Sequence, residues 1–137
     1  MPDSGKILGV MSDLFFTVTV MDAAKKLGFT AEFVKDKTLA LEKARSNPPL
    51  IVLDLNCAAV DPLALIAAIK SSPANAGTPM IAFVSHVQVD LKQKALDAGC
   101  DTVVARSVFA EKLAELLATA AKSRGGWGAI HPTVALP

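Results

Sequence analysis

The sequence alternates five short apolar runs with longer segments of helical periodicity, and this alternation most narrows the folds open to the chain. Each run is about four to six residues long, which is the usual length of a strand. The runs are Ile7 to Val10, Ala31 to Val34, Leu50 to Leu55, Met80 to Val84 and Thr102 to Ala105. The third opens with four consecutive apolar residues, as is typical of a strand buried on both faces. The order predicts an α/β protein with a doubly wound, parallel, five-stranded sheet.

The segments between and after these runs carry helix signals. Thr38 can cap a second helix, and Asp61 followed by Pro62 predicts an N-cap and a first helical position for the third. Glycine is expected to end the first and fourth helices, at Gly28 and Gly99. Helices two to four are thus predicted over about 38–46, 62–71 and 89–98. The first helix is defined by apolar positions at Phe16, Val20, Ala23, Ala24 and Leu27. The fifth is defined by those at Leu113, Leu116, Leu117 and Ala120.

Composition excludes several classes of protein. The chain has 137 residues, 52% hydrophobic and 20% charged, which predicts a folded domain rather than a disordered one. Its formal net charge of +1 argues against a broad nucleic-acid-binding surface. Polar residues interrupt its richest apolar stretch, 50–69, so no membrane span is expected. The N-terminus lacks a signal-peptide layout, and we therefore predict a cytoplasmic chain.

The domain is expected to cover residues 1–122. Glycine and proline accumulate beyond Ser123, which predicts a flexible C-terminal tail over 123–137. Trp127 lies in this tail, where it can dock on the domain, bind a partner or simply be a lone aromatic.

The two cysteines are predicted at opposite rims of the sheet. Cys57 follows the third strand, whereas Cys100 precedes the fifth. A five-residue strand is about 17 Å long, and a disulfide needs Cα atoms within about 7 Å. We therefore expect two free thiols.

Ligands of a doubly wound sheet bind beyond the carboxyl ends of its strands, so the residues there are the candidates for chemistry. They are Met11 to Asp13 after the first strand, Asp54, Asn56 and Cys57 at the third, Ser85 and His86 after the fourth, and Arg106 and Ser107 after the fifth. Asp54 stands out because an unpaired charge in a buried strand costs free energy. A solvent-facing aspartate at a strand end is the alternative that these residues leave open.

In register, these segments resemble the receiver domain of bacterial response regulators. The resemblance covers nearly all of 1–122: 6–29 match the first strand and helix, 50–56 the strand with the phosphoacceptor, and 95–101 the segment before the fifth strand. It implies a flavodoxin-like sheet with strand order 2-1-3-4-5. It also implies that Asp54 is the phosphoacceptor equivalent.

The metal-binding positions of the family match poorly. Its acidic pair, which helps to hold a divalent cation, falls on Met11 and Ser12, and neither supplies an anionic oxygen. Asp13 is acidic but lies one position later. Asp54 and the backbone carbonyl of Asn56 are the ligand positions that remain. We expect no cofactor, with Mg²⁺ bound only if the site is functional.

Other positions of the resemblance are altered as well. Ser85 and Arg106 fall where the family contacts the phosphoryl group, Arg106 in place of a lysine. Ser107 replaces a proline, and Val103 replaces the aromatic residue of the family's switch.

Phosphoryl transfer requires neutralisation of developing negative charge, which a metal largely supplies. These departures therefore predict that Asp54 is not efficiently phosphorylated. They further predict that Arg106 forms an ion pair with Asp54 and holds the site in one charge state.

Three functions remain open. The first is a degenerate, pseudo-receiver module, not an enzyme, that binds a histidine kinase or another signalling protein. It could also pair with a second copy through helix four, strand five and helix five, which carry Leu91, Val103 and Val108. The second is a working phosphoacceptor receiver with an unusual metal site. The third is a small-molecule binder on the same fold, although 11–14 lack a glycine-rich phosphate loop.

Overall fold

A computed structural model describes residues 6–46, 48–84 and 88–122 of the chain. Its strands are β1 (Lys6–Val10), β2 (Thr30–Val34), β3 (Ile51–Asp54), β4 (Met80–Val84) and β5 (Thr102–Ala105). Its helices are α1 (Leu14–Lys26), α2 (Lys37–Ala44), α3 (Pro62–Ser71), α4 (Val89–Ala98) and α5 (Arg106–Lys122). Short 3₁₀ turns lie at Ala58–Val60 and Pro73–Asn75.

The strands form one parallel sheet of order β2-β1-β3-β4-β5, which confirms the predicted fold class. The order places β3 in the centre, between β1 and β4. The register pairs Val10 with Leu53 and Asp54 with Phe83. All five strands therefore bring their carboxyl ends to one edge, where the candidate residues lie.

Helices cover both faces of the sheet. On one face α2, α3 and α4 bury side chains such as Ala40, Ile66 and Ala95 against the strands. On the other face α1 and α5 bury Phe16 and Phe109. The central strands are buried on both faces, which explains their unbroken apolar runs.

Several helix starts differ from the prediction. Asp36, rather than Thr38, caps α2, since its carboxylate accepts the backbone N–H of Leu39 at 2.8 Å. Pro62 opens α3 as predicted, but Asp61 makes no side-chain cap bond. Its φ is +50°, and its carboxylate lies 3.8 Å from the ammonium of Lys37. Helix α5 begins at once after β5 and has a non-helical residue at Lys112.

The side chains named for the pairing face are largely packed inward. Val103 is 6% exposed and belongs to the core beneath α4, because strand β5 is covered on both faces. Leu91 and Val108 are partly buried against the two cores. The prediction that these three offer an apolar surface is therefore wrong for Val103. Pairing through this region remains a prediction.

Both cysteines, Cys57 and Cys100, are buried free thiols, as predicted. No helix in the described ranges is long and apolar enough to cross a membrane. The predicted tail, 123–137, lies outside the described residues, and the domain boundary at 122 remains a prediction.

Candidate functional site

Asp54 lies at the carboxyl end of the central strand and is buried, with 5% of its surface exposed. The chain turns directly after it. One carboxylate oxygen, Oδ1, accepts the backbone N–H of Asn56 at 2.8 Å. The strand end thus supplies one hydrogen bond to a carboxylate that water barely reaches.

Asp13 lies beside this position because it is the N-cap of α1. Its Oδ1 accepts the backbone N–H groups of Phe15 at 2.9 Å and of Phe16 at 3.3 Å. Its Oδ2 accepts a hydrogen bond from Nη2 of Arg106 at 2.5 Å. One carboxylate therefore stabilises the start of α1 and binds a cation at the same time.

Arg106, the first residue of α5, joins the two carboxylates. Its Nη1 lies 3.7 Å from Oδ1 of Asp54, while Nη2 binds Asp13. The guanidinium carbon lies 4.6 Å from the ring centroid of Phe16 and 5.3 Å from that of Phe83. Two aromatic faces thus support the guanidinium by cation–π attraction. We call Asp13, Asp54 and Arg106 the acid–arginine triad.

The aromatic platform beneath the triad is itself well packed. Phe83 stacks on Phe16 and on Phe109, with centroid distances of 4.8 and 4.6 Å. Phe16 and Phe109 come from α1 and α5, whereas Phe83 is buried in β4. The ring cluster therefore ties both helices to the strand that neighbours Asp54.

The pKa of Asp54 is raised above its ordinary value, chiefly because burial disfavours the charged form. The Asn56 N–H and the Arg106 guanidinium lower this pKa, but the negative charge of Asp13 raises it again. The sequence correctly predicts that Arg106 approaches Asp54. The expectation that this pair holds Asp54 in one charge state is not supported, since Arg106 makes its hydrogen bond to Asp13.

Met11 and Ser12, the positions of the family's acidic pair in the resemblance, differ in burial. Met11 is 2% exposed and packs into the core between the sheet and α1 and α5. Ser12 is exposed. In the described ranges, no group of three or more His, Cys, Asp or Glu residues could hold a metal ion. Mg²⁺ is commonly held by one or two carboxylates together with other oxygens. The two carboxylates nearest this position, Asp13 and Asp54, both contact Arg106.

Of the remaining candidate residues, the structure describes Asn56 and Cys57 but not Ser85 or His86. The Asn56 side chain donates a 2.6 Å hydrogen bond to the Gln88 side chain, which links the end of β3 to the start of α4. Cys57 is buried beside the 3₁₀ turn. Ser85 and His86 lie outside the described residues, so the phosphate-contact role of Ser85 stays a prediction.

The contact of Asp13 with Arg106 was not predicted. From the sequence, Asp13 was noted only as an acidic residue one position after the expected pair. An aspartate directly before an amphipathic helix is, however, an N-cap signal that was available. The aromatic platform of Phe16 and Phe83 was also missed, because it combines residues 67 positions apart whose proximity depends on the fold.

Comparison with family models and with curated protein sequences finds no match. Many solved structures do match. The chemotaxis response regulator CheY4 of Vibrio cholerae aligns at 19% identity and a TM-score of 0.74, over 85% of this chain and 98% of that one. A response regulator from Hahella chejuensis aligns at 20% identity and a TM-score of 0.76, over 85% and 95%.

A third structure is the signal receiver domain of a histidine kinase from Syntrophus aciditrophicus, with 20% identity and a TM-score of 0.76. That alignment covers 88% of this chain and 92% of the other. At these identities the likeness concerns the backbone. Together with the strand order, it shows that this chain has the fold of a response regulator receiver domain.

Proposed function

We propose that this chain is a receiver-type module of two-component signalling that binds another protein and does not rely on metal-assisted phosphorylation of Asp54. The observation that carries the proposal is the acid–arginine triad. A guanidinium lies between the two carboxylates at the edge of the sheet where a receiver would need a divalent cation.

The charges of the site support this reading. A phosphoryl group that approaches Asp54 needs its negative charge neutralised, and a cation bridging oxygen ligands does this in metal-dependent transfer. Met11 offers a thioether, which is a poor ligand for a hard cation. Asp13 already uses both oxygens, one for α1 and one for Arg106.

The partner in this proposal is a signalling protein, either a histidine kinase or another regulator, or a second copy of the chain. The similar structures include a chemotaxis regulator and a receiver domain of a histidine kinase. In such a module the domain is a binding surface and catalyses no reaction of its own. Fold alone does not select the partner.

The experiment is phosphorylation by acetyl phosphate with and without Mg²⁺, read by intact mass. We expect no Mg²⁺-dependent phosphoryl adduct on the wild-type chain and no saturable heat on titration with Mg²⁺ and beryllofluoride. Asp54→Asn is the negative control. The positive variant combines Ser12→Asp, at an exposed position, with Arg106→Lys, which restores one acidic ligand and the smaller ammonium group.

The double variant should gain a Mg²⁺-dependent adduct that is lost when Asp54→Asn is added. Rapid, Mg²⁺-dependent phosphorylation of the wild-type chain that Asp54→Asn abolishes would instead support the working phosphoacceptor function and refute the proposal.

A further inference from the structure

Helix α1 carries an apolar stripe that faces away from the core. Leu14 is 78% exposed, Phe15 65%, Val18 62% and Met21 46%. These positions follow i, i+1, i+4 and i+7, so they lie on one side of the helix. We call these four residues the α1 stripe. Contiguous exposed apolar surface of this kind marks a binding site for another segment or molecule.

The stripe is also free of charge. Between the N-cap Asp13 and Asp22, no residue of α1 carries a charge. The opposite side of the helix, with Phe16 and Val20, is already buried against the sheet. The stripe is therefore suited to an uncharged apolar segment rather than to a charged partner.

The chain leaves the described domain from the helix that packs beside α1. Helices α1 and α5 pack against each other on the same face of the sheet. Their first residues meet through Asp13 and Arg106, and Phe16 and Phe109 lie 5.8 Å apart. Both helices follow parallel strands and run in the same direction. Lys122, the last residue of α5, therefore lies towards the end of the helix pair that also holds Lys26.

The segment that follows has a matching composition. From Gly125 to Pro137 it contains no Asp, Glu, Lys or Arg. Its larger apolar side chains are Trp127, Ile130, Val134 and Leu136. Two successive glycines, Gly125 and Gly126, permit the positive-φ conformations that a sharp reversal requires.

The distances allow the segment to reach the stripe. Trp127 follows Lys122 by five positions, which is roughly 17 Å of extended chain. Packed helices lie about 8–10 Å apart. The stripe from Leu14 to Met21 is about 10 Å long at 1.5 Å per residue, and residues 127–136 can span about three times that length.

We propose that residues 127–136 dock on the α1 stripe of the same molecule, with Trp127 as the principal contact. Because only residues 123–126 join the segment to α5, its effective concentration at the stripe is in the millimolar range, so even a weak apolar contact is populated. The composition favours this occupant, since neither surface has an Asp, Glu, Lys or Arg side chain to desolvate on contact. The inference is independent of the function proposed for Asp54.

Trp127 makes the proposal directly measurable, because the chain has one Trp and no Tyr. The test uses the full 137-residue chain. Tryptophan emission and acrylamide quenching are compared for the wild type, for Phe15→Glu and for Val18→Glu. Both substituted positions are exposed, and urea midpoints from circular dichroism verify that the domain still folds. Val89→Glu, at a 70% exposed position on α4, is the matched control.

In the wild type we expect blue-shifted emission and weaker quenching than in urea. Each stripe variant should lower the ratio of docked to free segment by about tenfold and shift the emission towards that of the denatured chain. Val89→Glu should leave both signals unchanged, and so should dilution.

Three results would overturn the proposal. The first is wild-type emission equal to that of the denatured chain, which would mean that Trp127 is free. The second is a blue shift that the stripe variants leave in place. The third is a blue shift that disappears on dilution, which would assign the stripe to a second copy of the chain.

Discussion

Substitution of Asp13 tests the acid–arginine triad most directly. Asp13→Ala removes the side-chain cap of α1, which costs about 1 kcal/mol. It also removes the hydrogen-bonded partner of Arg106. Both side chains are about one-third exposed, at 33% and 34%, so solvent screens the pair, and we assign it about 0.5–1 kcal/mol. The expected loss in free energy of unfolding is therefore about 1.5–2 kcal/mol.

Two companion variants separate these contributions. Asp13→Asn keeps an oxygen that can cap α1 but loses the negative charge, so it should cost only the ion-pair part, about 0.5–1 kcal/mol. Asp36→Ala removes the cap of α2, which rests on a hydrogen bond to Leu39, and should cost about 1 kcal/mol. The excess of Asp13→Ala over Asp36→Ala then measures the contact with Arg106.

The assay is urea unfolding followed by far-ultraviolet circular dichroism, with the slope checked for constancy across variants. Each variant is measured at low salt and at about 1 M salt, where the Debye length falls to about 3 Å. The cost of Asp13→Asn should shrink at high salt, while that of Asp36→Ala should not. Equal costs for Asp13→Ala and Asp36→Ala, with a neutral Asp13→Asn, would refute the stabilising role of the Arg106 contact.

Three further predictions concern buried positions. In urea unfolding, Gly9→Ala should destabilise the fold by about 1–3 kcal/mol, because a Cβ would lie 2.5 Å from the Phe33 ring. Gly77→Ala places its Cβ in open space and should be near neutral in the same assay. The folded-state pKa of Asp54 exceeds its ordinary value of 3.8, so wild-type stability should fall as pH rises from about 4 through that pKa. Urea midpoints of Asp54→Asn should lack this decline. Parallel pH profiles of the two proteins would contradict the prediction. Burial raises the pKa of Cys100 to about 12, so at pH 8 its alkylation, read by peptide mass, should occur only on unfolding; rapid native labelling would disprove this.

The fold was predictable from the sequence because its signals are local. A parallel strand covered on both faces is largely apolar, and the four residues from Leu50 to Leu53 have this property. The boundaries of helices are less well determined. Thr38 and Asp36 are both able to cap α2, and the choice depends on where the chain leaves β2, which no local pattern encodes.

The site was predictable only in part, because its contacts depend on geometry between distant segments. That Arg106 approaches Asp54 follows from the shared edge of the sheet. That Arg106 hydrogen-bonds to Asp13 instead follows from the place of Asp13 at the start of α1 and from the platform of Phe16 and Phe83. The long side chain of Arg106 can reach either carboxylate. The sequence therefore predicts the two candidate partners but not which of them accepts the hydrogen bond.

Burial is the main reason why the pKa of Asp54 is raised although a cation lies nearby, and the negative charge of Asp13 adds to it. A divalent ion would bring two positive charges to the two carboxylates, whereas Arg106 brings one and shares it. Asp13, more exposed and hydrogen-bonded to Nη2, takes the larger part of the attraction, and its own negative charge then acts against ionisation of Asp54. Neutralising Asp13 should therefore lower the pKa of Asp54, which makes Asp13→Asn a perturbation of the buried carboxylate as well as of α1. If the pH profile of Asp13→Asn shows no such shift, Arg106 is not shared in the way that the contacts indicate.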